Sequence, residues 1–192
     1  MRTVRTKIYS FAELSKEAKE RAIKAFRDTN YENIELDSFS DYCVDVASEK
    51  GFKDAKIRYS LSYSQGDGLS FDADMNIEQL IREAKPDIKT SVLDVLCNYS
   101  VHSCKANAGH YAYASESDIE FYLDGVDSYK PLNRLTEYVA EIESYIQDKY
   151  MNICSTLQAD GYAEIEHQDS DEYIIETIEA NEYEFTADGK QF

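Results

Sequence analysis

Ile57-Arg58-Tyr59-Ser60-Leu61-Ser62-Tyr63, then Ser64-Gln65-Gly66-Asp67-Gly68, then Leu69-Ser70-Phe71-Asp72-Ala73-Asp74-Met75 is the stretch on which the fold class turns. In its first part Ile57, Tyr59, Leu61 and Tyr63 alternate with small or charged residues. In its last part Leu69, Phe71, Ala73 and Met75 do the same. A period of two is the pattern of a half-buried strand. Glycines between two such runs supply the positive φ that a reversal needs. The spacing predicts an antiparallel β-hairpin over 57–75, turning about Gly66-Asp67-Gly68.

Outward from the hairpin the period becomes helical. Upstream, Ser15 is placed to cap a helix whose Leu14, Ala18, Ala22 and Phe26 share a face. A second helix is expected over about Ser38–Lys50, with Phe39, Tyr42, Cys43, Val46 and Ala47 inward and Gly51 just past its end. Downstream, Ile77–Lys85 reads as a short helix, and Pro86 opens another with Ile88, Val92, Leu96 and Tyr99 on one face. Strands are expected at Tyr99–Ala106, His110–Ala114 and Asp118–Leu123, with Asn107 and Gly109 in a turn. Pro131 begins a long helix with Leu135, Val139, Ile142, Ile146, Tyr150, Ile153 and Leu157 in register. Gly161 is expected to end or kink it, since glycine weakens a helix by about 1 kcal/mol. Ser170 starts a last helix running to about Ala180. Tyr183–Thr186 and Asp188-Gly189 close the chain. The order predicts one α+β domain over residues 1–192: an antiparallel sheet, hairpin plus meander, packed with several helices, and an acidic helical part from about residue 131.

The chain has 192 residues and a net charge of −18, unevenly placed. Residues 1–60 hold 12 Lys and Arg against 11 Asp and Glu, whereas residues 61–192 hold 8 against 27. Between Glu137 and Asp188 there are 15 acids and one base, Lys149. That sign excludes a nucleic-acid-binding surface, because phosphate contacts need cations. An anionic membrane face would repel it too, and no stretch approaches the ~20 apolar residues of a span. The segment Met1–Phe11 lacks the apolar core of a secretory signal. Cys43, Cys97, Cys104 and Cys154 are scattered, so reduced thiols in a cytosol are expected.

Catalytic and metal chemistry find little support. Cys97, His102, Cys104 and His110 lie close in sequence, but only His102 and Cys104 have the spacing of paired zinc ligands. The histidines His102, His110 and His167 stand in no nucleophile or metalloprotease motif. Acid pairs such as Asp72 with Asp74 and Glu164 with Glu166 are expected by composition alone in so acidic a chain. No cofactor is implied.

The acidic final third has two readings, a surface that only keeps the chain soluble and a constellation that points to a function. Glu137, Glu141 and Asp148 recur at i, i+4 and i+11 near one helical face, although like charges at i, i+4 oppose the helix. Glu164, Glu166, Asp171, Glu172, Glu176 and Glu179 extend the surface. Tyr138 and Tyr145 flank the apolar stripe, and of the sixteen tyrosines most are expected at the rim of the core and a few as interface anchors. Gln65 and Asp67 are offered by the hairpin turn. Two such helices side by side would approach the charge density of a phosphate track.

S-F-A-E-L-S-K-E-A-K-E-R-A-I from Ser10, S-Q-G-D-G at 64–68, G-H-Y at 109–111 and I-E-A-N-E-Y-E-F-T-A-D-G-K from Ile178 are similar to a mostly uncharacterised family of small phage and prophage proteins. Some of its members carry an antitoxin label. The resemblance spans nearly the whole chain. It departs at Tyr63, where the family often has Trp, and at Ala108, where a base often precedes G-H-Y. It brings no catalytic residues. It implies a mobile-element context in the cytoplasm of a host cell, where small acidic proteins block nucleic-acid enzymes. The expectation is a non-enzymatic inhibitor occupying the basic, nucleic-acid-binding surface of a host defence or nucleic-acid-processing protein, of anti-CRISPR or anti-restriction kind, by DNA mimicry. The alternatives are an antitoxin that neutralises a partner toxin, and a small enzyme with Gln65, Asp67 and His110 in one pocket.

Overall fold

The computed structural model describes residues 6–30, 34, 36–106, 111–124 and 135–192. The fold is α+β, with several helices, short antiparallel strand pairs and a long C-terminal helix. The turn at Asn107 and Gly109, the strand start at His110 and the helix start at Pro131 lie outside the described residues. The chain divides into two compact units, one of 1–36 and 162–192, the other of 37–161. Among the described residues no helix is long and apolar enough to cross a membrane.

The unit made from the chain's two ends begins with β1 (Tyr9–Ser10) and a 3-10 turn at Phe11–Glu13, followed by α1 (Lys16–Asn30). Ser10 and Glu13 close a reciprocal capping box, with the Ser10 N–H donating to Glu13 Oε2 at 2.8 Å. Ser15 caps α1 as expected, its Oγ accepting the Ala18 N–H at 3.3 Å. The helix buries Ala18, Ala22 and Ile23 with Phe11, Leu14, Ile174, Ile178 and Phe185. Ile174, Ile178 and Phe185 come from the other end of the chain.

The middle unit starts with α2 (Asp37–Glu49), which buries Phe39, Cys43 and Ala47 and stops at Gly51, whose φ of +96° suits glycine. Next come β2 (Phe52–Ser60) and β3 (Gly68–Met75), antiparallel, with Ile57 opposite Phe71 and Ser60 opposite Gly68. The hairpin stands, but its first strand begins five residues earlier than the alternation predicts. Leu61 and Tyr63 belong to the loop, where Tyr63 has φ +55°. A bulge between Lys53 and Lys56 admits the early start and leaves Asp54 at φ +51°.

α3 (Ile77–Ala84) and α4 (Thr90–Tyr99) follow, then β4 (Ser100–Lys105) and β5 (Asp118–Leu123), paired antiparallel. α4 buries Leu93 and Leu96, and Tyr99 is half exposed rather than inward. The expected strand at His110–Ala114 is corrected over its described part: Tyr111–Tyr113 are irregular and Ala114–Glu116 form a 3-10 turn. Their aromatic spacing serves packing against the hairpin loop, so it mimics a strand.

α5 (Thr136–Gln168) passes Gly161 without a break, against the expectation that it ends or kinks there. A Cβ at Gly161 would come within 2.5 Å of Leu61 and 2.8 Å of Phe39, so the glycine makes room for neighbours inside the helix. Ile142, Ile146, Tyr150, Ile153 and Leu157 are buried as their spacing requires. α6 (Asp171–Ala180), capped by Ser170, and β6 (Glu184–Phe185), paired with β1, complete the chain.

The middle core is aromatic. Phe71 lies 4.6 Å from Tyr150 and 5.6 Å from Phe52, centroid to centroid. β3 and β4 neighbour one another yet join no common ladder. The Tyr150 hydroxyl accepts the Phe71 N–H at 2.9 Å and donates to the Phe71 carbonyl at 3.1 Å. Asp72 accepts the Ala106 N–H at 2.8 Å. Side chains thus satisfy backbone groups that a neighbouring strand would otherwise pair.

Candidate functional site

The N-terminal half of α5 presents Glu137, Glu141 and Asp148 within about 40° of one another, opposite the buried stripe, and all three are exposed. They are not equally free. Glu141 is ion-paired with Lys85, whose ammonium also lies 5.5 Å from the Tyr138 ring centroid. Tyr138 is 43% exposed, so it and the Lys85–Glu141 pair form one patch. Tyr145 is half-buried and donates to Glu83 at 3.1 Å; Lys149 pairs with the same carboxylate. Burial works to raise the Glu83 pKa, but the hydrogen bonds from Lys149, Gln79 and Tyr145 outweigh it and hold the group below its ordinary value. Beyond Asp148 the outer positions Met151, Asn152, Ser155, Thr156 and Ala159 are exposed and uncharged.

In the unit of the two termini the acids divide. Asp171 pairs with Arg27, which also donates to the Asp169 carbonyl at 3.0 Å. Glu164 accepts from Gln168 at 2.8 Å. Glu166 is exposed on α5. Glu172, Glu176 and Glu179 fall within about 60° of one another on α6, on the side away from buried Ile174 and Ile178, and are exposed. No ion pair among the described residues involves any of these three. Sequence spacing found the α5 triad; the α6 triad at i, i+4, i+7 is the better isolated one.

The hairpin loop is an ordered feature. Asp67 accepts from Ser60 Oγ at 3.1 Å, Ser62 Oγ at 2.9 Å, and the Ser64 N–H and Oγ at 3.1 and 3.0 Å. Its carboxylate ties the loop together, a role legible in the Ser60, Ser62, Ser64 alternation once Asp67 is read as acceptor. Tyr113 donates to the Gln65 carbonyl and stacks on Tyr111 at 5.3 Å, while Gly68 leaves room for the Ala112 backbone. The Gln65 side chain is exposed. His110, the third member of the expected pocket, lies outside the described residues.

A cleft of about 790 Å³ beside β3 and β4 is lined by Asp54, Lys56, Asp72, Asp74, His102 and Lys105 among others. It brings the Asp72 and Asp74 pair beside two lysines, and burial lowers the His102 pKa while Asp74 acts to raise it. All four cysteines are free thiols, and burial pushes Cys43, Cys104 and Cys154 up to about 12, far from nucleophilic. Among the described residues no three His, Cys, Asp or Glu groups converge to hold a metal ion.

Comparison of the chain with protein-family models, with curated proteins and with solved structures finds no match.

Proposed function

We propose that this chain is a non-enzymatic acidic binding protein of phage or mobile-element type, which inhibits a host defence or nucleic-acid-processing protein by covering its basic, nucleic-acid-binding surface. The observation that carries this reading is the α6 triad: Glu172, Glu176 and Glu179 are held on one exposed face with no compensating cation among the described ion pairs. Like charges at this spacing weaken a helix, and they create a negative field that raises the encounter rate with a basic surface. The α5 triad adds a second acidic face, partly neutralised where Lys85 pairs with Glu141, with Tyr138 beside it as an amphipathic contact. Charges spaced about 5 Å apart along the helix axis are sparser than one per ~3.4 Å along a DNA strand. The faces therefore favour steering and rim contacts over phosphate-for-phosphate replacement. Asp67 is engaged by three serines, so its carboxylate serves the loop rather than acid–base chemistry.

The test is capture of partners from host lysate on the immobilised chain at low and high salt, followed by association rates with the captured partner. Three triple charge reversals are compared: Glu172, Glu176 and Glu179 to Lys; Glu137, Glu141 and Asp148 to Lys; and Asp41, Asp45 and Glu49 to Lys on exposed α2 positions. All change net charge equally. The first two are expected to slow association about tenfold at low salt and to converge with wild type as screening falls below ~8 Å. Equal behaviour of all three would remove the physical basis of the proposal.

A further inference from the structure

A groove of about 540 Å³ lies where the ends of the chain meet, lined by Ile8–Glu13, Ile178, Glu179 and Glu182–Glu184. Its floor is apolar: Phe11 and Ile178 are buried beneath it, Tyr9 and Tyr183 flank it, and Ile8 is 42% exposed at its edge. Its rim is acidic. Glu13, Glu179, Glu182 and Glu184 are all exposed, and no Lys or Arg is among the described residues that line it. Lys19 comes near, 5.4 Å from the Phe11 ring centroid. Glu182 is held at φ +52°, a backbone conformation disfavoured for a non-glycine residue. Glu179 is shared with the outward triad of α6, so the rim continues the acidic face.

An apolar trough under four carboxylates is complementary to one kind of occupant. We infer that this groove seats a short segment of a partner protein in which aliphatic side chains alternate with Arg or Lys. The aliphatic groups would lie against Ile8, Phe11 and Ile178, and the cations would meet Glu179, Glu182 and Glu184. This rests on the reading of the chain as a binder of basic protein surfaces, and it supplies what charge alone lacks: a contact with shape and an apolar requirement. Charge sets the encounter, and the desolvated centre sets residence.

The probe is a fluorescein-labelled peptide Arg-Leu-Arg-Leu-Arg, with Arg-Ser-Arg-Ser-Arg as its equally charged counterpart, both titrated by fluorescence anisotropy into the full chain. The leucine peptide is expected to bind at least about tenfold more tightly, as burial of aliphatic groups predicts. Ile8→Ser is expected to abolish most of that preference; being exposed, Ile8 can be changed without emptying the core. The combined Glu179→Gln, Glu182→Gln, Glu184→Gln variant is expected to weaken binding about tenfold and flatten its salt dependence. Asp41→Asn, Asp45→Asn, Glu49→Gln, with the same charge change, is expected to stay within about twofold, as for acids outside the contact. Glu13 is left in place because it closes the capping box. Equal binding of the two peptides, no binding of either, or equal weakening by the two triple variants would overturn the groove. Loss of the groove in this assay leaves the charge-reversal result with the captured partner standing. Conversely, a groove that binds while all reversals of the captured partner's association behave alike sinks the inhibitor reading alone.

Discussion

The unit built from the two ends of the chain and the unit built from its middle hold surplus carboxylates by different means. In the terminal unit, α1 carries five bases against three acids and packs on α6, which carries four acids and no base. Counted whole, residues 1–36 and 162–192 hold 16 acids and 9 bases, a net of −7, whereas residues 37–161 hold 22 and 11, a net of −11. The sequence gradient from a balanced start to an acidic end is therefore folded together in one unit, with Arg27 between Asp169 and Asp171. The middle unit instead rests on an aromatic core locked by one buried hydroxyl, with Lys85 and Lys149 absorbing carboxylates at its periphery. The terminal unit should respond to salt, and the middle one to packing.

The largest expected effect is at Tyr150. Truncation to Ala should destabilise by about 3–5 kcal/mol, as for other large buried aromatics. Tyr150→Phe should lose about 1–3 kcal/mol by orphaning the Phe71 N–H. Urea unfolding by circular dichroism gives the magnitude, and hydrogen exchange should accelerate in β3 first. Equal acceleration in α1 and α6 would break the division between the units.

Gly161→Ala comes next. Helix propensity alone would favour it by about 1 kcal/mol, but the methyl must displace Leu61 and Phe39, so a net loss of about 1–3 kcal/mol is expected. A stabilised variant would show that the core there yields.

Arg27→Gln should cost about 1 kcal/mol, less at high salt, with faster exchange confined to α1 and α6. A loss independent of salt would contradict the electrostatic character assigned to the terminal unit.

The smallest effect is the titration of Glu83. Its folded pKa is depressed, so its contribution is present above the ordinary glutamate value and fades as pH falls through the folded one. Glu83→Gln should therefore flatten the stability profile of the middle unit below about pH 4.5, measured by urea midpoints against wild type. Identical profiles would show that the Lys149 and Tyr145 contacts give no net stabilisation.

Much of the element order was legible in local pattern. Ser15 and Ser170 cap where expected, the strand pair around Ile57 and Phe71 forms, and the stripe from Ile142 to Leu157 is buried. The misreadings share a cause. Tyr111 and Tyr113 alternate because they stack on each other and pack against Gly66 and Gln65 of the hairpin loop, and Gly161 is small because Leu61 and Phe39 need the space. In each case a distant neighbour mimicked or hid a local signal.

Taken alone, the chain of residues determined the element types, their caps and the overall sign of the charge, because these depend on propensities and spacing within a few positions. Tertiary structure decided which carboxylates stay unneutralised. Arg27 reaches Asp169 across 142 positions and Lys149 reaches Glu83 across 66, whereas Glu172, Glu176 and Glu179 are left without an ion-pair partner among the described residues. Coulomb attraction acts through space at a few ångströms, and only the folded chain sets that distance.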